Sequence, residues 1–412
     1  MKTILSFGMG VESSALLLRW MEEPASRDFD LERDLIVITA QTGDEWPDTK
    51  MLIEQHLLSR MRSHRIRYVQ VARAGHLEAD GIVVLADTRE PDTIHLEGAY
   101  KLSQELCAAG TVPQYAGERR CSLKFKAWVI ETWLAQELRA EPFRHAIGYN
   151  SDEENRIAKS EAAFASRNQE DVRIAFGFNC EEEGRIAKAR QYDSPQRIGW
   201  YPLSKAEWNW TRQDCHDYLK RVTGVSWQKS ACVGCPFCAR TEDALERMRN
   251  FPDHVADALL LEHQSLCLNP RGMLYRDQTL FSVVMQDGNA AALQLFAERL
   301  AVSEYAIYRV RRIYKKKGKA DRAVEKLCVG TRAEILTCLQ SLVSLRHLST
   351  REEHNIIYAY AREREPQEYP TCEEFYVAAP ATVENKTRHG FAWFEARWAA
   401  ALSANAQGKL FD

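Results

Sequence analysis

The sequence predicts an α/β fold, with a parallel-sheet domain over residues 1–240 followed by a mostly helical domain over residues 241–412. Two observations favour the first domain. Short apolar runs alternate with amphipathic helical stretches, as in parallel sheets covered by helices, and the first run enters its helix through a glycine-bearing turn. From Glu242 to Leu348 helical periodicity replaces this alternation, which favours a separate helical domain.

Taken in order, apolar runs give the strands of the first domain and amphipathic stretches its helices. Strands are predicted at 2–7, 34–40, 65–71, 143–149 and 172–178, and helices at 12–21, 48–62 and 122–138. The domain border is expected within about ten residues of Arg240. In the second domain, 363–385 contains three prolines and is expected to be irregular, 388–402 is predicted as a helix, and a mobile tail follows.

The composition is that of an ordinary globular protein. Of 412 residues, 45% are hydrophobic and 27% charged, and the net charge is −3. This balance excludes a global field that attracts nucleic acid, so any such binding requires a local patch. Neither a signal-peptide core nor an uninterrupted apolar stretch of about 18 residues occurs. A cytoplasmic protein without a membrane partner is therefore expected.

Eleven cysteines fit a reducing compartment as thiols or metal ligands, since a chain of this size needs no disulfides. Five lie among apolar residues at helical spacing and are expected to be buried as small hydrophobic side chains: Cys107, Cys215, Cys267, Cys328 and Cys338.

The most informative segment is Lys229 to Cys238, where Cys232, Cys235 and Cys238 follow C-x-x-C-x-x-C spacing. Together with Cys121, more than a hundred residues upstream, they supply four thiolates. Tetrahedral sets of four sulfurs hold zinc or an iron–sulfur cluster, and spacing alone does not separate the two.

A second candidate site is the turn after the first strand. Ser6, Gly8, Gly10, Glu12, Ser13 and Ser14 all fall within it. Glycines let backbone N–H groups converge on phosphate oxygens, the serines add hydroxyl donors, and a helix N-terminus favours negative charge. The Gly-Lys-Ser/Thr ending of a Walker A loop is absent, so the pattern predicts a different nucleotide-binding loop.

Several blocks, in order, resemble one family. The turn resembles the pyrophosphate loop of the ATP-pyrophosphatase (PP-loop) superfamily, with Glu12 where that loop has Asp. Thr42-Gly43-x-Glu45-x-Pro47 follows, with Gln41 in place of an acidic residue. The later blocks are Arg120-Cys121-Ser122 with Phe125-Lys126, Tyr201-Pro202-Leu203 with Trp210-Thr211-Arg212, and Lys229-Ser230-x-Cys232-x-x-Cys235-Pro236-Phe237. Over about residues 1–265 the chain is similar to phosphoadenosine phosphosulfate (PAPS) reductase-like proteins, and nearest to the ATP-pyrophosphatases of DNA phosphorothioation.

The resemblance implies an adenine nucleotide alpha hydrolase-like fold that binds ATP with Mg²⁺ near Thr42 and Gly43. It implies cleavage between the α- and β-phosphates, adenylation of a substrate oxygen, and departure of pyrophosphate. Arg120, Lys126 and Arg156 are the expected catalytic cations. The family favours a [4Fe–4S] cluster on the four cysteines, with zinc as the alternative. It implies sulfur transfer to nucleic acid, linked to phage defence, with a sulfur donor such as a cysteine desulfurase.

Two rival functions remain. One is reduction of a sulfonucleotide (PAPS or APS), which the absent Glu-Cys-Gly-x-His ending disfavours; the C-terminal region offers only Cys372. The other is a nucleic-acid-binding subunit of a defence complex, stabilised by zinc and without catalysis. Release of pyrophosphate from ATP discriminates between the adenylating enzyme and this subunit.

An internal repeat adds the arginine at position 156. Residues 146–159 recur as residues 175–188 with nine of fourteen positions identical. Arg156 and Arg185 occupy the same place in the two copies. The repeat is either a duplication kept for packing or a device that places an arginine as an anion clamp at the strand ends.

Two further segments suggest macromolecular partners. Residues 305–326 carry nine Lys or Arg, interleaved with tyrosines, and predict either a nucleic-acid-binding patch or a solvated helix face. The candidate contacts are Arg309, Arg311, Arg312, Lys315, Lys316, Lys317 and Lys319. The ending Gln407 to Phe411 resembles the peptide that docks bacterial proteins on the replication sliding clamp; a frayed tail is the alternative.

Overall fold

A computed structural model describes residues 2–113, 115, 119–137, 172–176, 179–190, 197–238, 240–316, 319–365 and 368–408. The chain divides into two compact units. The first comprises Met1–Ser103 and Ala116–Cys238, and the second Gln104–Tyr115 and Ala239–Asp412. The division therefore falls beside the expected border at residue 240, except that Gln104–Tyr115 belongs with the C-terminal part.

The first unit is built on a six-stranded sheet. Its strands are β1 (Lys2–Ser6), β2 (Leu35–Gln41), β3 (Arg67–Arg73), β4 (Ile82–Thr88), β5 (Val172–Phe176) and β6 (Arg197–Trp200). Their order is β4-β3-β2-β1-β5-β6, and all neighbours are parallel except β3 and β4. The α/β class is confirmed. The antiparallel edge strand β4 was not predicted, and the strand expected at 143–149 lies outside the described residues.

Helices cover both faces of this sheet. They are α1 (Val11–Glu22), α2 (Pro47–Ile53), α3 (Ser59–Ser63), α5 (Arg120–Ser122), α6 (Trp128–Glu137), α7 (Glu183–Arg190) and α8 (Arg212–Thr223), whereas α4 (Leu102–Ala109) belongs almost entirely to the second unit. A π-helical turn, Glu54–Leu58, joins α2 to α3, and another, Leu123–Ala127, joins α5 to α6. Alternate residues of β2 pack on opposite sides, with Val37 in the core shared with α1 and Ile38 in the core shared with α6. Burial on both faces explains why β2 reads as a continuous apolar run.

The strand order places a crevice beside β1. From β1 the chain adds β2 and β3 on one side and later adds β5 and β6 on the other. The order therefore reverses between β1 and β5. Open parallel sheets bind ligands at such a reversal, outside the carboxyl ends of the strands.

The second unit is not mostly helical, which corrects the sequence prediction. It contains a second six-stranded sheet of order β12-β8-β7-β11-β10-β9. These strands are β7 (Tyr305–Lys316), β8 (Lys319–Gly330), β9 (Ser349–Glu353), β10 (Ile356–Arg362), β11 (Thr371–Pro380) and β12 (Lys386–Thr387), and their neighbours are antiparallel. The segment expected to be irregular thus holds β11, and the basic segment forms a β-hairpin.

Helices flank this second sheet. They are α9 (Glu242–Asn250), α10 (Pro252–Leu268), α11 (Leu280–Asp287), α12 (Ala290–Val302), α13 (Arg332–Arg346) and α14 (Phe391–Gly408). The end of α10 packs against one face through Leu266 and Leu268, and α14 packs against the other through Phe394 and Trp398. The last helix extends to Gly408, six residues beyond its predicted end, so the predicted tail is partly helical.

Three of the five cysteines expected in the core are not fully buried. Cys215 and Cys267 are buried as predicted, whereas Cys107 is partly exposed and Cys328 and Cys338 are exposed. Their helical spacing was misleading for Cys328, which lies in β8. Among the described residues, every helix is too short or too polar to cross a bilayer.

Candidate nucleotide and cysteine site

The loop between β1 and α1 lies at the carboxyl edge of the first sheet. It is anchored by a hydrogen bond from the Phe7 N–H to the Ile38 carbonyl at 2.8 Å. Met9 has a φ of +58°, a left-handed conformation that is uncommon for a residue other than glycine. Its side chain is only 4% exposed and belongs to the core of the first unit, and this burial offsets the backbone strain.

The start of α1 offers unused hydrogen-bond donors. In the described part of the chain, the N–H groups of residues 8–11 donate to no acceptor. Gly10 caps the helix without a side-chain hydrogen bond. The Ser13 hydroxyl donates to the Gly10 carbonyl at 3.3 Å, and the buried Ser14 hydroxyl has no partner among the described residues. A helix N-terminus with free N–H groups favours an anion.

The end of β2 forms the neighbouring wall. Gln41 is buried, and its Nε2 donates to the Oε1 of Gln70 at 3.4 Å. Gly43 has a φ of +87°, and a Cβ on it would lie 2.6 Å from the Cγ of Lys101. A close approach of this kind together with a left-handed backbone requires glycine.

A pocket of about 360 Å³, open solvent at its mouth included, lies between these two strand ends. Ser6, Gly8, Thr42 and Lys126 are among its lining residues. Lys126 forms no ion pair within the described residues, so its ammonium group is available to an anion in the pocket.

The π-helical turn Leu123–Ala127 holds Lys126 in place. Phe125 beside it is fully buried and stacks on Tyr100, with ring centroids 6.0 Å apart. The guanidinium of Arg73, at the end of β3, lies 5.3 Å from the same ring. Extra-residue turns of this type recur at functional sites, because they redirect side chains within a helix.

Of the other two predicted catalytic cations, Arg120 and Arg156, the structure describes only Arg120. Arg120 begins α5 and is exposed. Arg156 and the first copy of the repeat lie outside the described residues. In the second copy, Arg185 is part of α7.

Glu12, in the first turn of α1, is held by residues that approach from the other side of the reversal. The Nη1 of Arg212 donates to its Oε1 at 2.6 Å, and the Nδ2 of Asn179 lies 3.5 Å from the same oxygen. Asn179 follows β5 and Arg212 begins α8. The predicted loop residue therefore belongs to an ion pair at the mouth of the crevice.

The cysteine-bearing segment is attached to the same edge of the sheet through Glu45. The Glu45 carboxylate accepts hydrogen bonds from the Ala231 N–H at 2.7 Å, the Ser230 hydroxyl at 2.9 Å and the Thr49 hydroxyl at 3.1 Å. Ser230 also reaches the Gly8 carbonyl at 2.9 Å. The Val233 N–H donates to the Asp44 carbonyl at 2.9 Å. The carboxylate thus connects the ends of β1 and β2 to the cysteines.

The four predicted ligands meet in this region with different environments. The Sγ of Cys232 lies 3.1 Å from the Thr42 hydroxyl, and burial raises the pKa of Cys232 to about 12. A hydrogen bond with the Cys238 thiol lowers the pKa of Cys235 to about 6, and Lys229 and Lys126 act in the same direction. Burial raises the pKa of Cys121, and the charge of Cys235 adds to this effect. Cys235 therefore interacts with Cys238 through a hydrogen bond and with Cys121 through its charge, and its lowered pKa favours the thiolate form.

Soft thiolates of this kind suit both zinc and an iron–sulfur cluster. The hydrogen bond between Cys235 and Cys238, and the proximity of Cys121 to Cys235, fit a shared centre. Across the described ranges, however, no group of three or more His, Cys, Asp or Glu side chains is close enough to hold a metal ion as it stands. The donor set fits such a centre in its chemistry, and binding requires the thiols to draw together.

Comparison of the chain with family models, with curated proteins and with solved structures finds no match.

The predicted nucleic-acid contacts are largely neutralised by carboxylates. Arg311 is buried and pairs with Glu325 and Glu395, and Arg312 pairs with Glu373 at 2.6 Å. The two other paired members are Arg309 with Glu374 at 2.7 Å and Lys315 with Asp321 at 2.6 Å. Lys316 is exposed, whereas Lys317 and the side chain of Lys319 lie outside the described part. The prediction of a free cationic surface through Arg309, Arg311, Arg312 and Lys315 is therefore wrong, because each of these side chains forms an ion pair with a carboxylate of the same unit.

Sequence reasoning missed two sets of contacts at this site. Glu45 was quoted only within a family block, although its spacing from Thr42 signals the same loop. The pairing of Glu12 with Arg212 and Asn179 joins residues up to 200 positions apart, and only the strand order brings them together.

The proposed clamp peptide, from Gln407 to Phe411, lies mostly outside the described residues.

Proposed function

We propose that the first unit is an adenylating enzyme of the ATP-pyrophosphatase type, which binds ATP outside the carboxyl ends of β1 and β2. In the proposed reaction a substrate oxygen attacks the α-phosphorus of ATP. A bond forms between that oxygen and the α-phosphorus, the bond from the α-phosphorus to the bridging α–β oxygen breaks, and pyrophosphate leaves with the bonding electron pair.

The observation that carries this proposal is the convergence of unpaired donors on one pocket. Gly8 and Met9, whose N–H groups donate to no described acceptor, line one pocket together with Lys126, at the sheet edge where the strand order reverses. Anionic phosphates satisfy both kinds of donor. Preorganised donors also stabilise charge that develops as pyrophosphate departs.

Each residue near the pocket has a distinct proposed task. The start of α1 holds phosphate oxygens, and Lys126 neutralises charge on the leaving pyrophosphate. Mg²⁺ would arrive with the nucleotide, since this ion is usually bound through substrate phosphates and one or two carboxylates. Glu12 is the acidic residue of the loop, and we propose it as a ligand of this ion. Arg212, which pairs with Glu12, would help to neutralise the negative charge of the phosphates.

Cys121, Cys232, Cys235 and Cys238 would hold a [4Fe–4S] cluster, with zinc as the alternative. A cluster supplies electron transfer or a site for sulfur, whereas zinc supplies structure. Glu45 lines the pocket and holds the segment that carries Cys232, Cys235 and Cys238, which supports chemistry shared between these thiols and a bound nucleotide. In the proposed overall chemistry, a persulfide from a donor such as a cysteine desulfurase attacks the adenylated atom of the substrate, the bond from that atom to the AMP oxygen breaks, and AMP leaves. A dithiol reductant then supplies two electrons that cleave the S–S bond, so that the sulfur stays on the substrate and the donor cysteine is released.

Nucleic acid remains the proposed substrate, in line with the resemblance to DNA phosphorothioation enzymes. It would have to bind elsewhere than at Arg309, Arg311, Arg312 and Lys315, whose charges are paired. This requirement is met if a nucleotide of the nucleic acid enters the crevice of the first unit and is adenylated there.

The experiment is a pyrophosphate-release assay with ATP, Mg²⁺ and DNA as the proposed acceptor, comparing Lys126→Ala with Lys124→Ala. Both lysines lie on the same π-helical turn, but Lys126 lines the pocket and Lys124 is exposed. We expect Lys126→Ala to lower the rate about 100-fold, as for loss of one preorganised donor, and Lys124→Ala to leave it near the wild-type rate. Equal rates for both variants, or no pyrophosphate from the wild type, would contradict the proposal.

A further inference from the structure

The second unit's sheet distributes its charges unequally between its two faces. On the face covered by α14, Arg309, Arg311 and Lys315 are paired with carboxylates. These are Glu374 for Arg309, Glu325 and Glu395 for Arg311, and Asp321 for Lys315. The cations on this face are therefore matched.

On the face covered by α10, strand register brings three cations together. Arg312 of β7 lies directly opposite Arg322 of β8, and Lys386 of β12 lies opposite Val324 of β8. Residues directly opposite share a face, with Cβ atoms about 5 Å apart, and Lys386 is one diagonal step from Arg322. Arg322 is thus flanked by a cation on each side.

Only part of this charge is compensated. Arg312 pairs with Glu373 at 2.6 Å and donates to the Leu268 carbonyl at the end of α10. Lys386 donates to the Ala109 carbonyl at the end of α4. Arg322 has no hydrogen bond or ion pair among the described residues. Lys326 nearby pairs with Glu384, so Arg322 and Lys386 are the two of these four cations without a carboxylate, which leaves an excess of positive charge centred on Arg322.

Such an excess is costly where water is partly excluded. Arg322 and Lys386 are both half-buried. Burial, with Arg312 adding to it, lowers the pKa of Arg322 to about 10, and burial with the charge of Arg322 lowers the pKa of Lys386 to about 7. Adjacent buried cations without counter-charges destabilise a folded protein unless a bound anion supplies them.

We propose that Arg322, with Arg312 and Lys386 beside it, binds a phosphate-class oxyanion on the α10 face of this sheet. A guanidinium presents parallel N–H donors that match two oxygens of a tetrahedral anion, and the lysine adds a point charge. Because Arg322 and Lys386 remain partly exposed, the anion reaches them from solvent as free phosphate or as the terminal phosphoryl group of a small ester. The site is independent of the proposed nucleotide pocket.

The test measures thermal unfolding of the full chain in inorganic phosphate, with sodium chloride added to hold ionic strength constant. At about ten times Kd we expect Tm to rise by roughly 3–5 °C. Arg322→Gln removes this rise, and because it also removes an uncompensated charge, its Tm without phosphate is equal to or above that of the wild type. Lys316→Gln, an exposed lysine on the same hairpin, keeps the full response.

Two further arms make the result specific. Lys126→Ala keeps the phosphate response, which separates this site from the pocket of the first unit. Lys386→Gln weakens the response, and this variant decides the question if Arg322→Gln does not fold. A second titration replaces inorganic phosphate with methyl phosphate. An equal rise in Tm would show that the site also accepts phosphate esters, whereas a rise with inorganic phosphate alone would show that its ligand is the free ion. A wild-type protein without a response, or a full response in both Arg322→Gln and Lys386→Gln, overturns the proposal.

Discussion

Glu45 is the residue whose removal tests how the cysteine segment is held. It is 4% exposed and accepts from the Ala231 N–H, the Ser230 hydroxyl and the Thr49 hydroxyl. In Glu45→Ala the Ser230 hydroxyl still reaches the Gly8 carbonyl, whereas the Ala231 N–H and the Thr49 hydroxyl lose their acceptor. A buried donor that loses an acceptor costs about 1–3 kcal/mol, so the loss of both contacts is expected to cost about 2–6 kcal/mol. Glu45→Gln keeps an acceptor oxygen and is expected to cost about 1–3 kcal/mol.

The assay is urea-induced unfolding followed by tryptophan emission. Eight of the ten tryptophans lie in the first unit, so the signal reports mainly on that unit. Glu22→Ala is the matched control, because its carboxylate forms a surface ion pair with Arg60 at 3.0 Å, whose loss is expected to cost at most about 0.5 kcal/mol. In the metal-free, reduced protein, Glu45→Ala should also speed alkylation of Cys232. An unfolding free energy for Glu45→Ala equal to that of Glu22→Ala would refute the anchoring role.

Three other predictions concern backbone, pH and metal. Gly43→Ala should lower the unfolding free energy by about 1–3 kcal/mol, because its φ of +87° and the close Lys101 side chain exclude a Cβ; unchanged urea unfolding would contradict this. Burial and the charge of Arg332 lower the pKa of His263 to about 4, below its unfolded value of about 6.5. The unfolded state then binds more protons between these values, so stability falls as pH decreases from about 6.5 to about 4. His263→Phe should reduce the dependence of the unfolding free energy on pH, measured by urea unfolding at several pH values. An unchanged pH dependence would argue against His263 as its origin. Anaerobically isolated protein should contain about four irons per chain with matching sulfide. Cys235→Ala loses them and Cys328→Ala, at an exposed cysteine, keeps them; one zinc without iron would indicate a structural site.

Local patterns predicted much of the first unit. The apolar runs of β1, β2 and β3 are short and buried on both faces, so residue type alone marks them as parallel strands. The glycine-bearing turn was identified from its neighbours in sequence, whereas Lys126 was predicted from the family resemblance. Lys126 does line the pocket beside Gly8.

The second unit was misread because its decisive partners are distant in sequence. In β7, Arg311 and Arg312 resemble a cationic surface until Glu395 and Glu373, 84 and 61 residues later, are brought beside them. Strand pairing also buries apolar residues on both faces of β7, which hides the alternation that marks a half-exposed strand. For the same reason, no local pattern indicated that Glu12 would pair with Arg212.

The central claim is that the loop after β1 binds the phosphates of ATP. The most direct measurement is calorimetric titration with the α,β-methylene analogue of ATP and Mg²⁺, comparing the wild type with Gly8→Ala. A Cβ at Gly8 would meet no atom within 4 Å, so this variant should fold normally, yet the added methyl group would stand where phosphate oxygens approach the backbone. We expect one site in the wild type and at least about tenfold weaker binding in Gly8→Ala, equivalent to about 1.4 kcal/mol. No binding by the wild type, or equal affinity in both proteins, would contradict the account.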